Sequence, residues 1–345
     1  MRVVPLLLLV FVAVARGEPL VLRGATMGTT YHIKLLAPAS LDIQQLDADI
    51  QAVLAEIDHQ MSTYRPDSEL SRFNAAPAGD WFPVSAAIAA VAAAAQSISE
   101  QSGGALDVTV NPLVKLWHFG PSGVSTAGAR RRPFQPPADE LIGAVRKRVG
   151  YRNLEVRLDP PALRKNVDRL EVDLSSIASG YAIDRLALLL DGRGLRDYMI
   201  ELGGEVRAAG RRPDGKPWRV GIEWPLPGPV EVHSVPLTNA AIATAGDYHK
   251  FFEHAGRRYS HIIDPATGRP IENALASVTV VASSCLAADG WDTPLLVLGP
   301  QRGYDCAERH GIAALFISRD GGERGNEHVR VTSAWQTAYG MSMDP

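Results

Sequence analysis

Two titratable side chains, His261 and Asp264, stand three residues apart around an apolar pair in the stretch Arg257-Arg258-Tyr259-Ser260-His261-Ile262-Ile263-Asp264-Pro265-Ala266-Thr267-Gly268. An imidazole and a carboxylate can move a proton near neutral pH if a scaffold holds them at a cleft. Pro265 keeps Asp264 out of the helical region, and Pro-Ala-Thr-Gly is turn chemistry, so the segment ends abruptly. A second turn, Gly246-Asp247-Tyr248, precedes it. On spacing alone the stretch fits a solvated hairpin as well as it fits a catalytic pair.

Other stretches offer oxygen. Asp289 and Thr293 are four apart, which puts their side-chain oxygens on one face of a helix. Pro294 disfavours helical geometry at Thr293, so a kink is expected there. Ser175-Ser176-Ile177-Ala178-Ser179-Gly180 is a run of mostly small residues where a strand is expected to run into a helix. Such a junction leaves backbone groups able to meet a phosphate or a metal. Gly103-Gly104-Ala105-Leu106-Asp107 leads through a short strand to Asn111-Pro112, and its glycines permit close backbone approach. A plain helix-to-strand connection reads the same way.

The elements that must position these groups follow from periodicity. Alternation predicts a first strand over 26–35, and Leu46, Ile50, Val53, Leu54 and Ile57 predict an amphipathic helix. The polar stretch 61–74 reads as a turn-rich loop. Ser85 can cap a helix over 86–101. Residues 121–139, rich in Pro, Gly and Arg, read as a flexible loop. Strands are expected over 198–202, 218–223, 230–237, 277–282, 312–318 and 328–332, with a helix over 301–310. Strands and helices mix with hairpins and lack regular βαβ alternation, which indicates an α+β fold and not a doubly wound sheet.

Composition sets bounds. The 345 residues are 46% hydrophobic and 21% charged, ample for a core. A net charge of −3 and a pI of about 6.3 give no electrostatic case for nucleic acid. Arg130-Arg131-Arg132, the one basic run of three, reads as part of a solvated loop. Arg2 followed by an apolar run over 3–15 and Ala15-Arg16-Gly17 reads as a secretory signal, 1–17, ahead of one domain over 18–345. No cysteine follows the signal and no twin arginine lies in it, so a soluble, exported protein is expected. Cys285 and Cys306 suit either a disulfide or two buried thiols. No C-x-x-C or H-E-x-x-H spacing points to zinc.

Eight stretches in order carry a family likeness. They are M-G-T-T-Y at Met27, S-T-Y-R-P-D-S-E-L-S-R-F-N at Ser62, G-G-A-L-D-V-T-V-N-P-L at Gly103 and V-D-L-S-S-I-A-S-G-Y-A-I-D at Val172. L-G-G-E at Leu202, T-A-G-D-Y at Thr244, H-I-I-D-P-A-T-G at His261 and A-A-D-G-W-D-T at Ala287 complete the set. The chain resembles the ApbE family of periplasmic FAD:protein FMN transferases over nearly its whole mature length.

The resemblance implies a single T-fold-related α+β domain, with mixed or antiparallel sheets flanked by helices and a cleft for FAD. It implies Mg²⁺-dependent transfer of FMN from FAD to a Ser or Thr hydroxyl of a partner protein, with release of AMP. It assigns the metal to the side chains of Asp289 and Thr293 and the backbone carbonyl of Ser176, with Asp173 in support. FAD contacts carry over to Met27, Tyr64, Ala105, Leu106, Asp107 and Ser179. His261 carries over as the base for the acceptor hydroxyl, with Asp264 orienting it or binding substrate. An all-oxygen metal site leaves His261 for the proton or for fixing FAD. Ser179 stands where the family usually has Lys or Glu, and Ala245 where Ser is common. Asp292 and Pro294 replace small residues beside the implied metal ligands, and Asp292 either adds negative charge near the ion or faces solvent, with solvent favoured because a Mg²⁺ site does not require an extra carboxylate. Related readings are an FAD pyrophosphatase giving FMN and AMP, or a non-catalytic flavin-binding accessory protein. Gly24-Ala25-Thr26 ends like an acceptor motif, but Leu20 sits where an acid belongs, so transfer in trans is expected. The implied acceptors are subunits of sodium-pumping NADH:quinone reductase, of the Rnf complex, or the flavoprotein regulator of nitrous oxide reduction, with localisation in the periplasm.

Overall fold

The computed structural model describes residues 19–119, 134–225, 232–248, 250–319 and 329–340. The expected signal peptide, the basic run Arg130-Arg131-Arg132 and residues 121–133 of the expected loop lie outside the described residues. No helix among the described residues is long and apolar enough to cross a membrane.

The chain opens with a hairpin. β1 (Leu20–Thr26) pairs antiparallel with β2 (Thr29–Leu35), and Met27-Gly28 forms the two-residue turn with φ of 48° and 76°. Both positive φ values belong to the turn type whose twist matches that of the flanking strands. The single strand expected over 26–35 is therefore two strands, with Met27 at their tip. α1 (Ile43–Met61) is capped by Asp42 and buries Leu46, Ile50, Leu54 and Ile57 as the periodicity required. α2 (Glu69–Ala75) lies inside the stretch expected to be loop. Ser68 caps it, accepting from Ser71 N–H at 3.0 Å, and two turns are too short to show a full apolar period.

β3 (Phe82–Pro83) precedes α3 (Ala86–Gln101), which has the bounds and the Ser85 cap expected. α4 (Asn111–Leu116) replaces the short strand expected there, because Pro112 fits the first turn of a helix, where its missing N–H costs nothing. α5 (Asp139–Arg146) follows, then β4 (Leu154–Leu158) and β5 (Pro161–Lys165), which join β3 in a three-stranded sheet. α6 (Ala178–Gly192) starts after a turn; the strand expected before it is one isolated bridge, Val110 to Glu171.

β6 (Tyr198–Leu202) and β7 (Glu205–Ala209) form a hairpin, as do β8 (Trp218–Glu223) and β9 (Val232–Leu237). β10 (Ala240–Gly246), β11 (Phe251–His254), β12 (Arg257–Ser260), β13 (Ile263–Asp264), β14 (Arg269–Pro270) and β15 (Leu275–Ala282) follow. α7 (Cys285–Arg309), β16 (Ala313–Ser318), β17 (Val329–Val331) and α8 (Ser333–Tyr339) close the chain. The backbone of α7 breaks at Gly299, with φ 81°, and not at Thr293. Leu295 and Leu296, fully buried just beyond Pro294, anchor the helix in the core and keep Thr293 helical.

Eight strands form one antiparallel sheet in the order β1-β2-β6-β7-β10-β15-β16-β17. Alternation assigns its two faces. Ala241, Ala243, Val278 and Val280 face the main core with α1, α3, α6 and α7, whereas Val206, Ala208, Ile242 and Val281 face a second core with β8, β9 and α8. The alanines of β10 let α7 lie close to the sheet. A third, smaller core joins Leu113 and Trp117 to Ile142, Val145, Tyr259 and Ile263. The result is the α+β fold expected. Cys285 and Cys306 are free and buried, which settles the open choice in favour of thiols.

Candidate active site

The oxygen-rich centre forms where α6 starts against α7. Gly180 N–H donates to Asp289 Oδ2 at 2.8 Å. A Cβ on Gly180 would lie 2.6 Å from the carbonyl carbon of Cys285 and 2.8 Å from Asp289 Cβ, so only glycine lets the two helices meet there. Asp184, one turn further along α6, accepts from the N–H groups of Cys285 and Leu286 at 2.9 and 3.0 Å and from Arg207 at 2.6 Å. These bonds fix the register of α7 on α6, and hence the position of Asp289.

Burial and like charge act together here. Burial, reinforced by Glu205, holds the Asp289 carboxyl well above the usual carboxylate range. Asp292 is also raised, by burial and then by Asp289 and Glu205. It is 3% exposed and does not face solvent as expected. The unkinked helix keeps Asp292 on the packed side of α7, where Thr293 Oγ1 donates to its Oδ1 at 3.1 Å. Glu205 is pushed up to about 7 by burial and by Glu201. It precedes Val206 in β7 and so faces α6 and α7 with Arg207. No lysine or arginine pairs with Asp289 or Asp292 among the described residues. Nor do three His, Cys, Asp or Glu side chains there converge as a metal cage. A cation at this place has to draw on hydroxyl and carbonyl oxygen as well. Ile177 and Ala178 N–H both bond Leu174 O, at 3.0 and 2.8 Å, so neither N–H is directed at the Ser176 carbonyl. Buried, raised carboxylates beside neutral oxygens suit a hard divalent ion.

A second group of segments is clamped beside the α6 turn. Asp173 N–H donates to Val108 O at 2.7 Å, and Asp173 Oδ1 accepts from Ser175 N–H at 2.9 Å. Asn74 grips Val172 at both backbone groups, at 2.7 and 2.8 Å. Lys165, buried to 1% exposure, donates to the carbonyls of Phe73, Asn74 and Leu170 at 2.8–3.3 Å. Ser62 Oγ accepts from Tyr64 and Arg65 N–H at 3.2 and 3.3 Å and holds a turn that leaves Tyr64 65% exposed. Burial of part of the phenol, and then Asp173, raise the Tyr64 hydroxyl. A rigid, exposed aromatic ring beside a carboxylate offers a platform for a flat ligand. Ala105, Leu106 and Asp107 are buried. Asp107 turns inward: its oxygens accept from Thr109 N–H and Oγ1 at 2.8 and 2.6 Å and from Tyr151 N–H at 2.9 Å. Ser179 is half-buried in the first turn of α6.

The His261 stretch is bound to the third core. Trp117 Nε1 donates to Gly268 O at 2.9 Å, and its ring stacks on Tyr259 with centroids 5.8 Å apart. Asp264 Oδ1 accepts from Ala266 N–H at 2.8 Å and its carbonyl from Gly268 N–H at 2.8 Å, so its backbone and carboxylate shape the turn. The Lys250 carbonyl holds the imidazole: it lies 3.1 Å from His261 Nδ1 and also accepts from His261 N–H. A carbonyl only accepts, so Nδ1 carries a hydrogen in this contact.

Sequence reasoning missed Glu205 beside Asp289, the Lys250 carbonyl beside His261, and Lys165 and Asn74 as holders of the 73–74 and 170–172 segments. A carboxylate directly after the Gly203-Gly204 hairpin turn was the one readable signal. The Lys250 carbonyl carries no sequence signal at all, since any residue supplies one.

The ApbE family model matches residues 27–316. The chain belongs to the ApbE family. It is 45% identical over 303 residues to the FAD:protein FMN transferase of Vibrio cholerae serotype O1, covering 87% of this chain and 88% of that one. The flavin transferase ApbE structure from Vibrio cholerae superposes with a TM-score of 0.83 at 41% identity, over 93% of this chain and 99% of the other. The apo Pseudomonas stutzeri flavinyl transferase ApbE gives 0.82 at 40%, over 94% and 99%.

Proposed function

We propose that this member of the ApbE family transfers FMN from FAD to a Ser or Thr hydroxyl of a partner protein and releases AMP. The observation that carries the reading is the Gly180–Asp289 bond, which joins a buried carboxylate to the start of α6 within a family fold shared with flavin transferases. Asp289, Thr293 and the Ser176 carbonyl would hold Mg²⁺, with Asp173 in support. When bound, that ion neutralises pyrophosphate charge and favours departure of AMP.

The chain's own groups supply the rest. Tyr64 and Met27 offer aromatic and thioether surfaces to the flavin rings. The family likeness carries Ala105, Leu106 and Asp107 over as nucleotide contacts, Asp107 by way of its backbone because its carboxylate accepts from Thr109 and Tyr151, and Ser179 N–H and Oγ at the start of α6 suit a phosphate oxygen. His261 Nε2 takes the proton as the acceptor oxygen bonds to the FMN-side phosphorus and the bond to the AMP phosphate breaks. The Lys250 carbonyl keeps Nδ1 protonated for that task, while Asp264 sets the turn that presents the ring or binds substrate.

The acceptor is a separate protein, of the class found in membrane electron-transfer complexes: a subunit of the sodium-pumping NADH:quinone reductase or Rnf type, or the nitrous oxide reduction regulator. The protein works after export, in the periplasm. The test is a His261→Ala variant assayed with FAD, Mg²⁺ and acceptor. Loss of acceptor labelling with unchanged FAD binding supports the role of His261, and full transfer removes it.

A further inference from the structure

Thr293 has an uncommon hydrogen-bond partner. A hydroxyl inside a helix ordinarily donates to the carbonyl four residues back. Thr293 Oγ1 instead donates to Oδ1 of its neighbour Asp292, at 3.1 Å. With its one hydrogen committed there, the hydroxyl has only lone pairs to offer elsewhere. Asp289, one turn earlier on the same face of α7, also presents oxygen.

Asp292 gains little for the fold by this. It is 3% exposed, and no lysine or arginine among the described residues pairs with it. A buried carboxylate among like charges breaks a local rule, and a functional site is where such breaks collect.

We propose that Asp292 is a positioning residue that locks the Thr293 hydroxyl as a pure acceptor, so that its oxygen faces the cation beside Asp289. The inference rests on the reading of this centre as a Mg²⁺ site. Asp292 holds the hydrogen and Thr293 supplies the donor oxygen, so the carboxylate acts through its neighbour.

Titration calorimetry of MgCl₂ into the metal-stripped full chain, without FAD, tests this. Asp292→Ala weakens Mg²⁺ binding by about tenfold, the range expected when a supporting hydrogen bond to a ligand is removed. Asp292→Asn keeps an acceptor oxygen, loses the charge, and stays within about threefold of wild type. Thr293→Val and the Asp292→Ala/Thr293→Val double variant bind equally, since the first change has nothing left to act through. Should Asp292→Ala not fold, the similarly sized Asp292→Leu takes its place. Equal weakening by Asn and Ala would assign the effect to charge and overturn the positioning role. Wild-type affinity in the Ala or Leu variant would overturn it too. Absence of Mg²⁺ binding by the wild-type chain would remove the metal reading itself, and the inference with it.

Discussion

Replacing Gly180 by alanine probes the α6–α7 contact directly. The added Cβ meets the Cys285 carbonyl carbon at 2.6 Å and Asp289 Cβ at 2.8 Å, and both belong to a helix that cannot yield without leaving the sheet. Overpacking of this kind costs about 1–3 kcal/mol. Separating the helices also lengthens the Gly180 N–H bond to the Asp289 carboxyl, whose ionisation burial opposes, a bond worth about 0.5–1.5 kcal/mol. The sum, about 1.5–4.5 kcal/mol, corresponds to a fall in Tm of roughly 2–7 °C for a domain of this size. Gly143 is the control. It also sits in a helix, α5, but a Cβ there meets nothing within 4 Å. Gly143→Ala should gain about 1 kcal/mol from helix propensity alone. Thermal unfolding of both variants, with the Mg²⁺ concentration for half-maximal transfer, reads the contrast. A Gly180→Ala protein with wild-type Tm and wild-type Mg²⁺ requirement would refute the claim that this contact sets Asp289.

Met27→Asn should stabilise the chain by about 0.5–1 kcal/mol in urea unfolding, because Asn tolerates the left-handed turn position better than Met, and should raise KM for FAD. Lys165→Met leaves the carbonyls of Phe73, Asn74 and Leu170 without their donor and should cost about 3 kcal/mol by denaturant titration. Glu205 has a folded pKa raised above its unfolded value, so its contribution to stability is full below about 4.5 and is lost as pH rises through about 7. Metal-free Tm should therefore fall across that window in the wild type and fall less in Glu205→Gln.

The sequence carried much of this because its signals were local. The Ser85 cap and the apolar spacing of α3 predict its bounds, and His261 with Asp264 marks its own turn. Errors arose where tertiary packing overrode a local rule. Pro294 argued for a kink, but the buried Leu295 and Leu296 hold α7 straight until Gly299. A Mg²⁺ site does not require an extra carboxylate, which favours solvent for Asp292, but the straight helix leaves it buried. Met27 reads as strand by alternation, and only the Met-Gly pair between two alternating runs betrays the turn. The Lys250 carbonyl and the Lys165 cradle involve backbone atoms, which leave no trace in residue identity.

The central claim is that the chain moves FMN onto a protein hydroxyl. Its most direct test is mass spectrometry of an acceptor subunit of the sodium-pumping quinone reductase type, incubated with purified protein, FAD and Mg²⁺. Transfer gives an acceptor heavier by one phosphoester-linked FMN, an equal amount of AMP, and neither product with His261→Ala. FMN and AMP released at the same rate without acceptor, and no mass gain on it, would contradict the account and indicate hydrolysis.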